Sequence, residues 1–121
     1  MTWQFTSDRP IYSQLVEYLC IFIINGAYPA GSRLPSVRDL AAEAKVNPNT
    51  MQRAMAELES RGLVYAERTS GRFVTEDTAL IQSTKEELAT MRITQFFKDM
   101  ESLGIDREQA LAMTDPGKER G

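Results

Sequence analysis

The sequence of 121 residues contains no histidine and only one cysteine, Cys20. Without histidine, a serine such as Ser70 has no imidazole base to activate it, and histidine-containing zinc sites cannot form. A single cysteine cannot form an internal disulfide, and its apolar neighbours in the sequence predict a buried thiol in a reducing cytoplasm. The sequence also lacks a glycine-rich phosphate loop. It therefore predicts no catalytic residue, no metal site and no cofactor, and we do not expect an enzyme.

Long hydrophobic runs are also missing. The longest, Leu19 to Ile24, is far shorter than the roughly 20 residues that span a bilayer. The first ten residues, MTWQFTSDRP, carry neither the basic segment nor the apolar core of an export signal. We therefore expect a cytoplasmic protein without a membrane partner. Its length and 42% hydrophobic content allow one small globular domain with an appendage.

The charge is distributed unevenly along the chain. The net charge of −3 disfavours a nucleic-acid partner at first sight. Residues 1–76, however, carry eight basic and eight acidic side chains, whereas residues 77–121 carry six and nine. Because salt screens charges beyond about 10 Å, the excess of basic residues between positions 31 and 56 can act locally. We expect few phosphate contacts and a modest non-specific affinity for nucleic acid.

Residues 34–63 predict two short helices joined by a tight turn. Ser36 is placed to cap the first helix, and Asp39 three positions later completes a capping-box pattern. Pro48 disfavours continuation of that helix and suits the first position of the next one, for which Asn47 is a good N-cap. The order helix, turn, helix is typical of a helix-turn-helix motif.

The second helix of this motif is predicted over residues 48–61 and ends at Gly62. One face is apolar, with the spacing of a buried stripe formed by Met51, Ala54, Met55 and Leu58. The opposite face begins with four polar residues, which are Asn49, Thr50, Gln52 and Arg53. Such side chains read base edges and phosphates when a helix N-terminus enters the major groove. The alternative is an ordinary solvated face.

A hairpin follows directly. Residues 63–67 and 72–76 alternate as short strands around a turn whose tip is Ser70-Gly71, and a first helix, PIYSQLVEYLCIFIING, precedes the motif. Three helices and then a hairpin are the order of a winged helix, with the wing at residues 68–72. The wing residues expected at DNA are Ser70, Gly71 and Arg72. An ordinary hairpin with a solvated turn is the alternative.

The remaining chain predicts a long helix from about residue 79 to 103, a turn at Gly104 and a short helix capped by Asp106, with Gln109 placed to complete a capping box. The long helix carries an apolar stripe that includes Leu88, Ala89, Met91, Ile93, Phe96, Phe97, Met100 and Leu103. So short a segment cannot enclose a core. The exposed side of the first helix and a second subunit are the two candidate partners of the stripe, and we expect both. We therefore predict a dimerisation surface at Leu88, Ile93, Phe96, Met100 and Leu103. Residues 115–121 are predicted to fray.

These patterns together predict a mainly α protein with a small β-hairpin. A winged helix-turn-helix DNA-binding domain is expected over residues 1–76, and a helical dimerisation tail over residues 77–121.

The chain resembles the GntR family of bacterial transcription regulators. The matching segments are PIYSQL, GAYPAGSRLPSVRDLA, VNPNTMQRAMAELESRGLVY and the hairpin end GRFV, about two-thirds of the chain. The short tail is similar to that of the YtrA-like branch, which lacks a large effector-binding domain. The resemblance assigns DNA contacts to Arg38, Asn47, Asn49, Thr50, Gln52, Arg53 and the wing around Gly71. In place of the family's glycine-rich wing turn, this sequence has RTSGRF, without the first glycine.

The resemblance implies a homodimeric regulator, a repressor on a double-stranded, inverted-repeat operator that contacts the DNA through residues 48–61 and 68–72. It leaves open an unidentified small-molecule effector. The alternative function is a winged-helix protein-interaction module without specific DNA binding, for which an acidic or apolar recognition face is the expected signature.

Overall fold

The computed structural model describes residues 3–115. Its elements, in chain order, are α1 (Ile11–Ile24), α2 (Val37–Ala44), α3 (Pro48–Ser60), β1 (Val64–Glu67), β2 (Gly71–Val74), α4 (Thr78–Ser102) and α5 (Arg107–Met113). This is the predicted order of helices and strands. Of the end predicted to fray, only Asp115 lies within the described residues. Among residues 3–115, no helix is both long enough and apolar enough to cross a membrane.

The chain divides into two structural units, Met1–Lys85 and Glu86–Gly121. The division lies within α4, whose first turns place Leu80 and Ile81 against the core of the first unit. The predicted boundary, residue 76, lies between the end of β2 and the start of α4. The first turns of α4 therefore belong to the winged unit.

The core of the first unit forms where α1 and α2 pack against the inner face of α3. The α3 side chains with no exposed surface are Met51, Ala54, Met55 and Leu58, the stripe predicted from their spacing. Leu15 and Leu19 of α1 and Leu40 of α2 lie in the same cluster. Burying an aliphatic side chain of this size contributes about 1.5–3 kcal/mol. The apolar face of α3 therefore fixes the helix on the domain with its polar face outward.

The segment before α1 covers a second side of that helix. The Trp3 ring meets Phe22 edge-on at a centroid distance of 5.2 Å, and Phe5 meets Tyr18 edge-on at 5.7 Å. Edge-to-face aromatic pairs of this kind stabilise beyond the area that they bury. The side of α1 that carries Tyr18 and Phe22 is thus covered by the chain's own lead-in, which also reaches α2 through a hydrogen bond from Trp3 Nε1 to Glu43 at 3.3 Å.

A buried glutamine, Gln14, fixes the course of this lead-in. Its side chain is 2% exposed, and its amide oxygen accepts the Thr6 backbone N–H at 2.8 Å. Its amide nitrogen donates to the backbone carbonyls of Thr6 and Arg9, each at 2.9 Å. A buried polar side chain is tolerated when its hydrogen bonds are satisfied in this way. The lead-in has no helix or strand to satisfy its backbone hydrogen bonds. Gln14 therefore supplies partners for the backbone groups of Thr6 and Arg9.

We expect Gln14→Leu to lower the free energy of unfolding by about 1–3 kcal/mol, because it leaves an N–H and two carbonyls without their protein partner. Urea unfolding followed by circular dichroism measures the change. Gln4→Ala is the control, since the hydrogen bonds of Gln4 with Tyr18 use its backbone. Equal stability of the Gln14→Leu and Gln4→Ala proteins would contradict this role.

Both strands of the hairpin are shorter than predicted, and a third segment of the chain pairs with β2. The predicted strand over residues 72–76 is wrong at both ends, because β2 starts at Gly71 and ends at Val74. Residues 31–34, which precede α2, pair with the outer edge of β2. The Leu34 N–H donates to Arg72 O at 2.8 Å, and the Val74 N–H donates to Ser32 O at 2.9 Å. The wing is therefore anchored along its base.

The second unit consists of the rest of α4 and of α5. Gly104, at φ +81°, ends α4, and the Ile105 N–H returns to Met100 O at 2.9 Å. Asp106 and Gln109 then form both bonds of the predicted capping box. These local bonds turn the chain so that α5 can lie against α4.

Candidate nucleic-acid interface

The N-terminus of α3 is built by Asn47 and Pro48 as predicted. The Asn47 side-chain oxygen accepts the Asn49 backbone N–H at 2.7 Å, and Pro48 occupies the first turn, where a missing N–H leaves no bond unmade. Asn47 is exposed, and its amide nitrogen takes no part in the cap. The free N–H groups of a first turn and the helix dipole favour an anion at this end of α3.

The outer face of α3 is polar and exposed. Asn49, Gln52 and Arg53 are exposed, and Thr50 is half-buried at the edge of the same face. The structure thus brings together the four residues that the helical spacing predicts to lie opposite the buried stripe. Their side chains offer amide, hydroxyl and guanidinium groups on one face within the first two turns, which suits hydrogen bonding to base edges and phosphates.

One flank of this face is held against α1. The Arg53 guanidinium carbon lies 4.4 Å from the centroid of the Tyr12 ring. The Tyr12 hydroxyl is 3.4 Å from a Glu57 carboxylate oxygen, to which it donates. Glu57 also accepts from the Arg61 guanidinium at 2.8 Å. That hydrogen bond and the positive charge of Arg61 lower the pKa of Glu57, so its carboxylate is ionised at neutral pH.

The other flank is held against the wing. Arg72 of β2 is half-buried and forms an ion pair with Glu59 of α3. Arg72 was predicted to contribute to a cationic wing tip, but the structure uses its guanidinium to join β2 to α3. Arg68 and Ser70 are exposed in the turn. Of the wing residues expected at DNA, Ser70 and Gly71 lie at the tip, and Arg72 follows Gly71 in β2 with its side chain paired to α3.

A further arginine, Arg33, lies beside the wing and was not predicted as a site residue. A Cβ atom on Gly71, which has φ +101°, would lie 3.3 Å from Arg33 Nε. Arg33 is exposed and bridges to Phe73 across the edge of β2. No local pattern in the sequence signals this placement, because it depends on pairing between segments far apart in the chain.

Arg38 and Cys20 complete the positions singled out by the sequence. Arg38 is exposed on α2. Ser36 caps the first turn of this helix as predicted, with the Asp39 N–H donating to the Ser36 hydroxyl at 3.1 Å, and this bond is the Ser36 half of the predicted capping box. Cys20 is 5% exposed, and burial raises the pKa of its thiol. The prediction of a buried thiol is confirmed. Within residues 3–115, no three potential metal ligands form a cluster.

A sequence profile described as "Bacterial regulatory proteins, gntR family" matches residues 11–74, from the start of α1 to the end of β2. The match spans more than half of the chain. This protein belongs to the GntR family. The family predicted from the sequence motifs is thereby confirmed.

Two relatives match most of this GntR protein. YhcF of Bacillus subtilis (strain 168), described as an uncharacterized HTH-type transcriptional regulator, is 36% identical over 108 residues, which are 89% of each chain. The HTH-type transcriptional repressor YtrA of the same organism is 31% identical over 105 residues, which are 85% of this chain and 80% of YtrA. These matches agree with the YtrA-like branch. They also confirm the prediction of a transcription regulator.

Solved structures confirm the winged helix-turn-helix fold. A GntR family transcriptional regulator from Listeria monocytogenes superposes with a TM-score of 0.86 at 39% identity, over 93% of this chain and 98% of that chain. The DNA-binding domain of AraR, in complex with operator ORX1, superposes with a TM-score of 0.57 at 25% identity. That match covers 62% of this GntR chain and 96% of the AraR domain.

The second unit of this GntR protein presents an apolar face. Ile93 is 55% exposed, Phe96 37% and Leu103 69%, whereas Leu88 and Met100 are half-buried. The other exposed apolar side chains of the unit are Met91, Leu111 and Met113. The α4–α5 contact leaves these side chains uncovered, and contiguous exposed apolar side chains of this kind mark interaction surfaces.

Phe97 departs from the predicted stripe. It is only 8% exposed, and the Arg107 guanidinium carbon of α5 lies 4.2 Å from the centroid of its ring. Ala110 of α5 is 1% exposed. Phe97 therefore belongs to the small core between α4 and α5 instead of the exposed face.

We expect Asn47→Ala to lower the free energy of unfolding by about 0.5–2 kcal/mol, because the first turn of α3 loses its cap. Asn49→Ala is the matched control, since only the backbone of Asn49 takes part in that bond and exposed substitutions stay within about 0.5 kcal/mol. Thermal and urea unfolding of both proteins measure the difference. Similar losses in the two variants would contradict the capping role.

Proposed function

We propose that this GntR-family protein is a cytoplasmic repressor that binds an inverted-repeat operator as a homodimer, with α3 in the major groove. The observation that carries the proposal is the exposed polar face of α3, held on one flank by Tyr12 and on the other by Arg72. The repressor name of YtrA and the operator complex of the AraR domain support it. A protein-interaction module would instead be expected to show an acidic or apolar face, and this face is neither.

The roles of the side chains follow from their chemistry. Asn49 and Gln52 are proposed to read base edges, because amide side chains pair with adenine through two hydrogen bonds, each such pair contributing about 1–3 kcal/mol of discrimination. Thr50 and the first-turn N–H groups suit a phosphate. Arg38, exposed on α2, is proposed to contact a phosphate or a guanine.

The wing is proposed to add contacts to the DNA backbone. Arg68 at the tip and Arg33 beside Gly71 are both exposed, so two cations are available there although Arg72 pairs with Glu59. Each phosphate contact changes the slope of log affinity against log salt by about one. The charge of Arg72 is neutralised by Glu59. Arg33 thus adds an exposed positive charge beside the wing.

We expect Arg38→Ala to weaken operator binding by about 5- to 100-fold, the range for one lost arginine contact. The melting temperature should stay nearly unchanged because Arg38 is exposed. Titration against the DNA upstream of its own gene, with scrambled competitor at two salt concentrations, measures the effect. Lys98→Ala removes the same charge from an exposed position of the second unit and is the control. Unchanged affinity in Arg38→Ala would show that α2 does not face DNA.

The homodimer is proposed to form through the apolar face of the second unit. Ile93 and Phe96 lie on one side of α4 at helical spacing, Leu103 follows the last residue of α4, and all three are exposed. Covering them with the same face of a second copy removes apolar surface from water on both chains. Two winged units joined in this way can occupy two half-sites, and the second half-site then binds intramolecularly.

We expect Phe96→Glu to break the dimer, because it places a charge in an apolar interface. Operator affinity should fall with it through the loss of bivalent binding. Thr94→Glu makes the same change in charge two residues earlier, at an exposed position outside the apolar stripe, and should leave the dimer intact. Sedimentation velocity with and without DNA separates the two variants. A stable dimer in Phe96→Glu would contradict the proposed interface.

A further inference from the structure

Tyr12 of α1 lies under the guanidinium of the one arginine on the outer face of α3. The distance from Arg53 Cζ to the centroid of the Tyr12 ring is 4.4 Å, within the range of a cation–π contact. Tyr12 is half-buried in the first turn of α1, whereas Arg53 is exposed. The Tyr12 ring therefore packs against one face of the Arg53 guanidinium, which is otherwise exposed to solvent.

The Tyr12 ring is itself held in place. Its hydroxyl donates to Glu57 at 3.4 Å, and Glu57 accepts from Arg61 at 2.8 Å. Glu57 lies one helical turn after Arg53, and Arg61, the C-cap of α3, one turn after Glu57, so the three residues follow one edge of the helix. The Tyr12 ring is thus fixed by its backbone at one end and by Glu57 at the other.

Stacking on a ring restricts the guanidinium without using its hydrogen-bond donors. The contact uses the face of the group, and its N–H donors point outward in its plane. A guanidinium held in one plane loses less conformational entropy when it forms two parallel hydrogen bonds. Guanine offers the matching pair of acceptors, O6 and N7, in the major groove.

We propose that Tyr12 is a positioning residue that holds Arg53 in the plane required to read a guanine. The inference rests on the proposed DNA-binding function of α3. It assigns base specificity to a residue outside the helix-turn-helix, and it selects guanine over phosphate as the partner of Arg53. Tyr12 supports sequence-specific binding and adds nothing to non-specific binding.

A double-mutant cycle on the full chain tests the proposal. Tyr12→Leu should weaken operator binding by about 2- to 5-fold, the size expected of an exposed cation–π contact, and leave binding to scrambled DNA unchanged. Tyr12→Phe, which keeps the ring, should retain most of the operator affinity. In an Arg53→Ala background, Tyr12→Leu should have no further effect, because the two residues act through one contact.

Tyr18→Leu is the matched control. Tyr18 is also a half-buried tyrosine of α1, but it packs with Phe5, on the side covered by the lead-in. Its effect should be the same with or without Arg53. Nuclear magnetic resonance of the free protein adds a readout that needs no DNA, since the Arg53 side-chain resonances should shift when the Tyr12 ring current is removed.

Three results would overturn the proposal. Additive losses of operator affinity for Tyr12→Leu and Arg53→Ala would show that Tyr12 acts through general stability. Equal losses on operator and scrambled DNA would assign Arg53 to phosphate. A wild-type protein without operator preference would remove the function on which the inference rests. In the first two results the wild-type preference persists, so they contradict the role of Tyr12 and leave the proposed function standing.

Discussion

The burial of one face of α3 is the constraint on which the winged unit depends. Met51, Met55 and Leu58 have no exposed surface, and α1, α2 and the start of β1 pack around this helix. Because these contacts are apolar and closely spaced, rotating α3 about its axis would expose several of them to water at once. The orientation of the polar face is therefore a consequence of the core. Side chains that are proposed to read bases need this kind of support, since small displacements weaken hydrogen bonding.

Two sets of polar contacts hold α3 in place in addition to its buried apolar face. Glu59 pairs with Arg72 and joins α3 to the wing, while Tyr12 meets Arg53 and Glu57 on the opposite flank. The exposed face between these flanks lies on a helix held from three sides. Each connection also sets the position of an arginine. The Arg72 guanidinium is held against Glu59 of α3, and the Arg53 guanidinium is held over the Tyr12 ring. The arginines of the site thus differ in role because they differ in their partners within the protein.

Features governed by neighbouring residues could be read from the sequence. The Asn47-Pro48 start of α3, its buried stripe and the capping box at Asp106 follow from local chemistry, and the structure has them as predicted. Features governed by distant pairing could not. The sequence does not show that Arg33 bridges to Phe73 or that Arg72 pairs with Glu59. In the same way, the spacing of the α4 stripe includes Phe97 but cannot show that α5 folds back to cover it, because periodicity identifies an apolar face and not its partner.

Selection of DNA from a random-sequence library by the full-length protein tests the central claim most directly, namely that two copies of α3 read two symmetric half-sites. Sequencing of the bound fragments should give an inverted repeat whose half-site centres lie about one helical turn apart, 10–10.5 base pairs or a multiple. Enrichment of a single unpaired half-site would contradict the homodimer. The absence of any enriched sequence would contradict specific reading by α3 itself.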